Sequence, residues 1–128
     1  MGRILAFVLI AFMTVACENK ECENLVFENG ITYQDGELFS GKCNTYKNKA
    51  LRSIQRYKEG RDHGEWIFYF SNGNIQTKGV FKEGVRVGVW KYFNEDGGIK
   101  QINEYKNKRI IRTIKYNEKG EILSAEIN

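Results

Sequence analysis

Few residues of this 128-residue chain have side chains suited to chemistry, and they do not assemble into a catalytic set. His63 is the single histidine and follows Asp62, which could orient its imidazole as the base of a hydrolase. Both lie in Gly60–Gly64, a segment typical of a solvated turn, and no serine-based triad can be nominated around them. The acidic pair Glu95–Asp96 has too few oxygen ligands nearby for Ca²⁺. We therefore expect no enzyme and no cofactor, with a hydrolase using His63 as a remote alternative.

The N-terminal segment offers a different chemistry, lipidation. Arg3 is its only charge, and Ile4–Ala16 is a largely apolar run of 13 residues. A spanning helix needs about 20 apolar residues, so this run is typical of a signal peptide. Thr14–Cys17 resembles the bacterial lipobox, although an aliphatic residue is usual at the position of Thr14. The resemblance implies a signal peptide over 1–16 and acyl chains on Cys17, and the alternatives are a plain signal peptide or a buried strand.

The other two cysteines are Cys22 and Cys43. An extracytoplasmic chain can keep a disulfide between them, and the alternative is a buried Cys43 with a free thiol at Cys22. A zinc site is not expected, because the chain has one histidine and no CxxC pair. We interpret 17–30 as a lipid anchor and polar tether, and 31–128 as the folded domain. The expected location is the periplasmic or surface side of a bacterial envelope.

Charge and composition exclude some partners. The net charge is +4, or +3 once Arg3 leaves with the signal peptide, which is too small to indicate a nucleic-acid partner. The most basic run is 106–112. It suits contact with anionic lipid headgroups or an acidic partner, or an edge strand protected from aggregation. The chain has 13 glycines and no proline, as suits turns that need a positive φ.

The elements that would position these residues repeat along the chain. Aromatic residues recur every 24 positions at Tyr33, Tyr57, Phe81 and Tyr105, and glycines follow three positions later at Gly36, Gly60 and Gly84, with Lys108 as the exception. A second column contains Cys43, Trp66, Trp90 and Ile114. Fixed-period similarity of this kind is the sign of a repeat architecture, whose terminal units are usually degraded.

Each unit has the pattern of two strands. In Gly64–Phe70 the residues Trp66, Phe68 and Phe70 share one face, because side chains alternate along a strand. Ser71–Asn74 follows as a tight turn, for which Asn72–Gly73 predicts type I′. The sequence therefore predicts an all-β fold: an antiparallel meander of about eight strands in one twisted sheet, built from four hairpin repeats of about 24 residues.

The second face of this predicted sheet carries large apolar residues. Tyr46, Tyr69 and Phe93 align there, with Ile67 nearby. Large apolar groups on a face expected to be exposed to solvent indicate a surface that binds a partner. The alternative is a core on both sides of a curled sheet.

The central units resemble the MORN repeat in its bacterial variant form. The residues that carry the resemblance are Tyr57, Gly60, Gly64, Trp66, Tyr69, Phe70 and Gly73, and then Phe81, Gly84, Gly88, Trp90, Phe93 and Gly97. Such arrays are grouped with a YwqK-type antitoxin family, and others are scaffolds that bind proteins or phospholipid. The resemblance implies a binding module for an unknown protein partner, with a toxin as one such partner. An envelope scaffold in contact with phospholipid is the alternative.

Overall fold

The chain forms β-strands throughout the part that the structure describes. The structure is a computed structural model, and it describes residues 20–22 and 24–128. Its strands are β1 (Lys20–Glu21), β2 (Leu25–Glu28), β3 (Ile31–Gln34), β4 (Glu37–Leu38), β5 (Gly41–Lys47), β6 (Ala50–Lys58), β7 (Arg61–Asp62), β8 (Gly64–Tyr69), β9 (Ile75–Lys82), β10 (Val85–Phe93), β11 (Ile99–Lys106), β12 (Arg109–Tyr116) and β13 (Ile122–Ile127). Within these residues no helix is long and apolar enough to cross a membrane.

Four hairpins in chain order provide eight of the ten strands of the main sheet, which confirms the predicted all-β antiparallel meander. They are β5–β6, β8–β9, β10–β11 and β12–β13, and neighbouring hairpins pair edge to edge. Near its loop each hairpin carries one extra, unpaired residue, a β-bulge. The bulged residues are Arg52, Gln76, Lys100 and Leu123. Because they recur every 23 or 24 positions, the sequence repeat is also a structural repeat.

The N-terminal end of the sheet differs from the predicted single sheet. β2, β3 and β4 form a separate three-stranded sheet, while β1 pairs in parallel with β5 and so covers that edge of the main sheet. Next to β1, Cys22 forms a disulfide with Cys43, with the two Cα atoms 5.0 Å apart. The small sheet is held to the main one by backbone hydrogen bonds, because the N–H of Thr32 donates to the carbonyl of Gly60 at 2.8 Å.

In the central repeats the type I′ turns lie at the opposite end of the hairpins from the one we predicted, and β5–β6 has its own two-residue turn of this kind at Asn48–Lys49. In Ser71–Asn74 only Gly73 has a positive φ, of +89°, so the prediction of type I′ at Asn72–Gly73 is wrong. This connection is longer, and the side chain of Asn72 accepts the N–H of Asn74 at 2.9 Å. Two-residue turns with two positive φ angles instead join β6 to β7 at Glu59–Gly60 and β9 to β10 at Glu83–Gly84.

The core is a row of aromatic rings along one face of the main sheet. Successive rings meet edge to face with centroids 5.0–6.3 Å apart. We call Phe39, Tyr57, Trp66, Phe81, Trp90 and Tyr105 the aromatic row. Phe39, Trp66 and Trp90 are buried, and the indole N–H groups of the two tryptophans donate to the carbonyls of Arg56 and Val80. These contacts satisfy the one polar group of each indole within the core.

Candidate binding face

The predicted binding residues lie on the face opposite the aromatic row, which we call the outer face. Residues that are directly opposite in neighbouring strands share a face. Ile67 is opposite Ile54, Tyr69 is opposite Ile75, and Phe93 is opposite Ile99. Tyr46 lies on the same face of β5, and 44% of it is exposed. The structure therefore brings Tyr46, Ile67, Tyr69 and Phe93 to one surface.

A straight row of opposed residues crosses the middle of the outer face. Its members are Ile54, Ile67, Lys78, Lys91, Ile102 and Ile114, on six consecutive strands of the main sheet. We call this set the central row. None of its residues is buried, so in the described part of the chain nothing packs over it closely enough to exclude solvent.

The centre of this row is a pair of like charges. Lys78 and Lys91 are directly opposite each other, an arrangement that destabilises a sheet. Among the described residues neither lysine forms an ion pair, whereas Arg56 pairs with Glu65 at 3.8 Å and Arg112 with Glu104 at 3.0 Å. Two lysines between apolar neighbours leave a site of positive charge that a carboxylate could neutralise.

Of the isoleucines in the central row, only Ile67 was predicted from the sequence to lie on this face. Ile114, which we placed in the column of the two tryptophans, lies on the face opposite Trp90. Ile54 and Ile114 belong to strands whose partners become known only with the register of the sheet. Period-two alternation in Ala50–Lys58 and Arg109–Tyr116 was the available signal, but the bulges in neighbouring strands obscure it.

The repeat-motif residues serve the fold. Tyr57, Phe81, Trp66 and Trp90 belong to the aromatic row. Gly60 and Gly84 take φ values of +76° and +80° in the type I′ turns, and Gly64 and Gly88 take +86° and +63° where β8 and β10 depart from regular pairing. Gly73 and Gly97 lie in the loops of the central hairpins, also with positive φ.

His63 forms hydrogen bonds with backbone groups of two neighbouring segments. Its Nδ1 accepts the N–H of Glu83 at 3.4 Å, and its own N–H donates to the carbonyl of Arg56 at 2.9 Å. The nearby cavity of about 470 Å³ is lined by Ile31, Leu38, Lys58, Glu59, Arg61, His63 and Glu83. None of these lining residues has a hydroxyl or thiol that His63 could activate as a nucleophile.

Two tyrosines of the aromatic row have opposite electrostatic surroundings. Burial and, secondarily, the charge of Asp62 raise the pKa of Tyr57 to about 12. Burial also raises the pKa of the Asp62 carboxyl above its usual range. Burial would raise the pKa of Tyr105 as well, but hydrogen bonds from Arg86, Tyr92 and Asn103, with the Arg86 charge, lower it overall. The repeats that contain Tyr57 and Tyr105 thus place the two tyrosines alike but surround them with different charges.

No group of three or more histidine, cysteine or acidic side chains suited to a metal ion is present in residues 20–22 and 24–128. Cys17, the predicted lipidation site, lies outside the described residues, as do the signal peptide over 1–16 and residues 18, 19 and 23 of the predicted tether.

Comparison with known proteins identifies the two central repeats. Residues 62–83 and 86–107 each match the family described as MORN repeat variant. The first segment contains β8 and β9. The second contains β11 and all of β10 except Val85, its first residue. No curated protein matches the chain. The resemblance to MORN repeats is therefore confirmed for the two central units, which form the middle of the central row.

Proposed function

We propose that the chain is a non-catalytic binding module whose outer face takes a protein partner. The central row carries this proposal, because it presents isoleucines on both sides of an unneutralised lysine pair across six strands. A complementary surface would offer apolar side chains flanking an acidic group, and would gain both apolar burial and charge neutralisation. The match of the central units to MORN repeats supports a binding role over a catalytic one.

The shape of the outer face favours a macromolecule over a small ligand. Small-molecule sites are concave and enclose most of the ligand, whereas the central row lies along an open sheet surface. Specific protein interfaces bury about 1,200–2,000 Å² in total, which an extended face can supply and a shallow cavity cannot.

We further propose that this module is lipid-anchored through Cys17 outside the cytoplasm, and that it neutralises a toxin. The sequence from Ile4 to Cys17 supports the anchor. The Cys22–Cys43 disulfide supports an oxidising compartment, since structural disulfides persist mainly outside the cytoplasm. The resemblance to antitoxin-like arrays supports a toxin as the partner class.

Site-specific photo-crosslinking tests the outer face. A photo-reactive residue replaces Ile67, Ile102 or Phe93 in the full chain within its native membrane. Thr77 and Gln101, half-buried on the face of the aromatic row, are the control positions. We expect one discrete protein adduct from the outer-face positions and little from the controls.

A matched charge test accompanies the crosslinking. Lys78→Glu with Lys91→Glu reverses the central pair and should abolish the adduct, whereas Lys115→Glu with Lys119→Glu makes the same change in net charge away from the outer face and should preserve it. Equal adducts from both faces would contradict the proposal. Adducts with lipid alone would favour the phospholipid scaffold instead.

A further inference from the structure

A shallow groove on the face of the aromatic row combines two cations with aromatic walls. It has a volume of about 390 Å³ and lies between the turns that join β9 to β10 and β11 to β12. Its lining residues are Phe81, Gly84, Val85, Arg86, Tyr105 and Lys108. No acidic residue lines it, so its two positive charges face an otherwise apolar and phenolic surface.

Arg86 is held in a fixed position without an acidic partner. Its guanidinium carbon lies 4.6 Å from the ring centroid of Trp90 and 5.9 Å from that of Tyr105, both within cation–π range. One of its nitrogens also donates to the hydroxyl of Tyr105 at 3.3 Å. Within the described residues no carboxylate pairs with Arg86, unlike Arg56 and Arg112. Most of its five N–H donors therefore remain free for a ligand.

Lys108 is an unusual residue for its backbone conformation. It occupies the column that holds Gly36, Gly60 and Gly84 in the other repeats, and its φ is +64°. A residue with a Cβ is disfavoured in this left-handed region, and glycine is not. The turn accepts a lysine, since Lys49 takes the same φ in Asn48–Lys49, but it does not require one. Lys108 lines the groove and supplies its second positive charge.

The arginine is also not required by the repeat. Counting back 24 residues from Arg86 gives Asp62, and this acidic residue lies close enough to Tyr57 to raise its pKa. Two adjacent repeats thus fold alike with opposite charges at one position. A positive charge at Arg86 is a property of this groove and not of the fold.

We propose that this groove binds a carboxylate of a protein partner, carried on an aspartate or glutamate with an apolar neighbour. A guanidinium offers two parallel N–H donors that match the two oxygens of a carboxylate. Lys108 adds a nearby point charge, and Phe81, Val85 and Tyr105 form an apolar surface for the neighbouring residue. The groove and the central row lie on opposite faces, so this inference is independent of the function proposed above.

The test uses the full chain in mild detergent and three capped peptides as probes. The first is Gly-Phe-Glu-Glu-Phe-Gly, the second has both glutamates replaced by glutamine, and the third has both replaced by phosphoserine. Binding is followed through the NMR signals of the Arg86 Nε–H, which lies in the groove, and of the Trp90 indole N–H, whose ring Arg86 contacts. We expect the glutamate peptide to shift both signals and to bind at least about tenfold more tightly than the glutamine peptide, the difference one charge-assisted hydrogen bond can make.

Variants separate recognition from folding. Arg86→Gln should reduce affinity for the glutamate peptide at least about tenfold, while Arg109→Gln, the same charge change in a neighbouring exposed residue, should leave it within about twofold. Lys108→Gly should weaken binding severalfold and yet raise Tm by about 4–8 °C, because it relieves the left-handed lysine. A lower affinity together with a higher Tm would show that the variant loses a ligand contact and not stability.

Three results would overturn the inference. They are equal binding of the glutamate and glutamine peptides, unchanged affinity in both Arg86→Gln and Lys108→Gly, and tighter binding of the phosphoserine peptide through the Arg86 signal. The last would assign the groove to phosphate instead.

Discussion

The indole ring of Trp90 lies directly on the backbone of Gly79, on the neighbouring strand β9. A Cβ placed at position 79 would be 2.1 Å from Cδ2 of the ring and 2.3 Å from Cε2. No side chain fits in that space unless the ring moves. Trp90 is only 1% exposed and is held by Phe81 on one side and Tyr105 on the other. The absence of a side chain at Gly79 therefore allows the core to close.

Gly79→Ala should destabilise the protein by about 3 kcal/mol, because the added methyl group displaces a well-packed ring. Urea unfolding followed by tryptophan fluorescence measures the change. Val80→Ala, on the same strand but 41% exposed, is the control and should cost less than about 1 kcal/mol. Similar losses in the two variants would show that Trp90 does not depend on Gly79.

Much of this arrangement could be predicted from the sequence, because hairpins with short connections place their signals close together. The columns of Trp66 and Trp90 and the alternation around them indicated strands, faces and a repeat of 24 residues. The register across each hairpin could not be predicted. A bulge at Gln76 puts Ile75 opposite Tyr69, and no local feature of the sequence announces that bulge.

The pairing of β1 with β5 could also not be predicted from local features of the sequence. It joins Lys20 to Cys43 across more than twenty residues and leaves β3 in a separate sheet. The prediction of the turn type failed for another reason. A type I′ connection needs positive φ at both positions, so Glu59 and Glu83 adopt it although glutamate does not favour it. The length of the connection, and not the residue preference of Asn72–Gly73 for type I′, therefore decided where these turns form.

Reduction of the disulfide should destabilise the fold and release β1 from the edge of β5. The bridge between Cys22 and Cys43 closes a loop with a sequence separation of 21, which predicts a loss of roughly 3 kcal/mol. Thermal unfolding with and without a reductant measures it. Cys22→Ser is the matched control, because it keeps the buried Cys43 side chain and should not respond to the reductant. A reductant that leaves the wild-type Tm unchanged would contradict a structural bridge.

Stability at high pH should depend on Tyr57. Burial, with a smaller effect of Asp62, raises its pKa from 10.0 to about 12, so folding favours the neutral phenol. This contribution is fully present below pH 10 and is lost as the pH rises through 12, because the unfolded chain ionises first. We expect a loss of about 1 kcal/mol, discounted because the ring is only partly buried and water screens it.

Unfolding in urea at pH 8, 10, 11 and 12 measures this dependence. The advantage of the wild type over Tyr57→Phe should shrink across the interval from pH 10 to 12. Tyr46→Phe leaves Tyr57 in place and should follow the wild type. A constant difference between the wild type and Tyr57→Phe over this range would show that Tyr57 ionises equally in both states.

The anchor is tested at Cys17, the residue that would carry acyl chains. Two or more chains hold a protein stably at a bilayer, whereas one gives marginal binding. Cys17→Ala should therefore abolish incorporation of a labelled fatty acid and release the protein from the membrane fraction. Cys22→Ala removes a neighbouring cysteine and should keep both the label and the membrane location. Labelling that persists in Cys17→Ala would refute the assignment, because the acyl chain would then be attached to a residue other than Cys17.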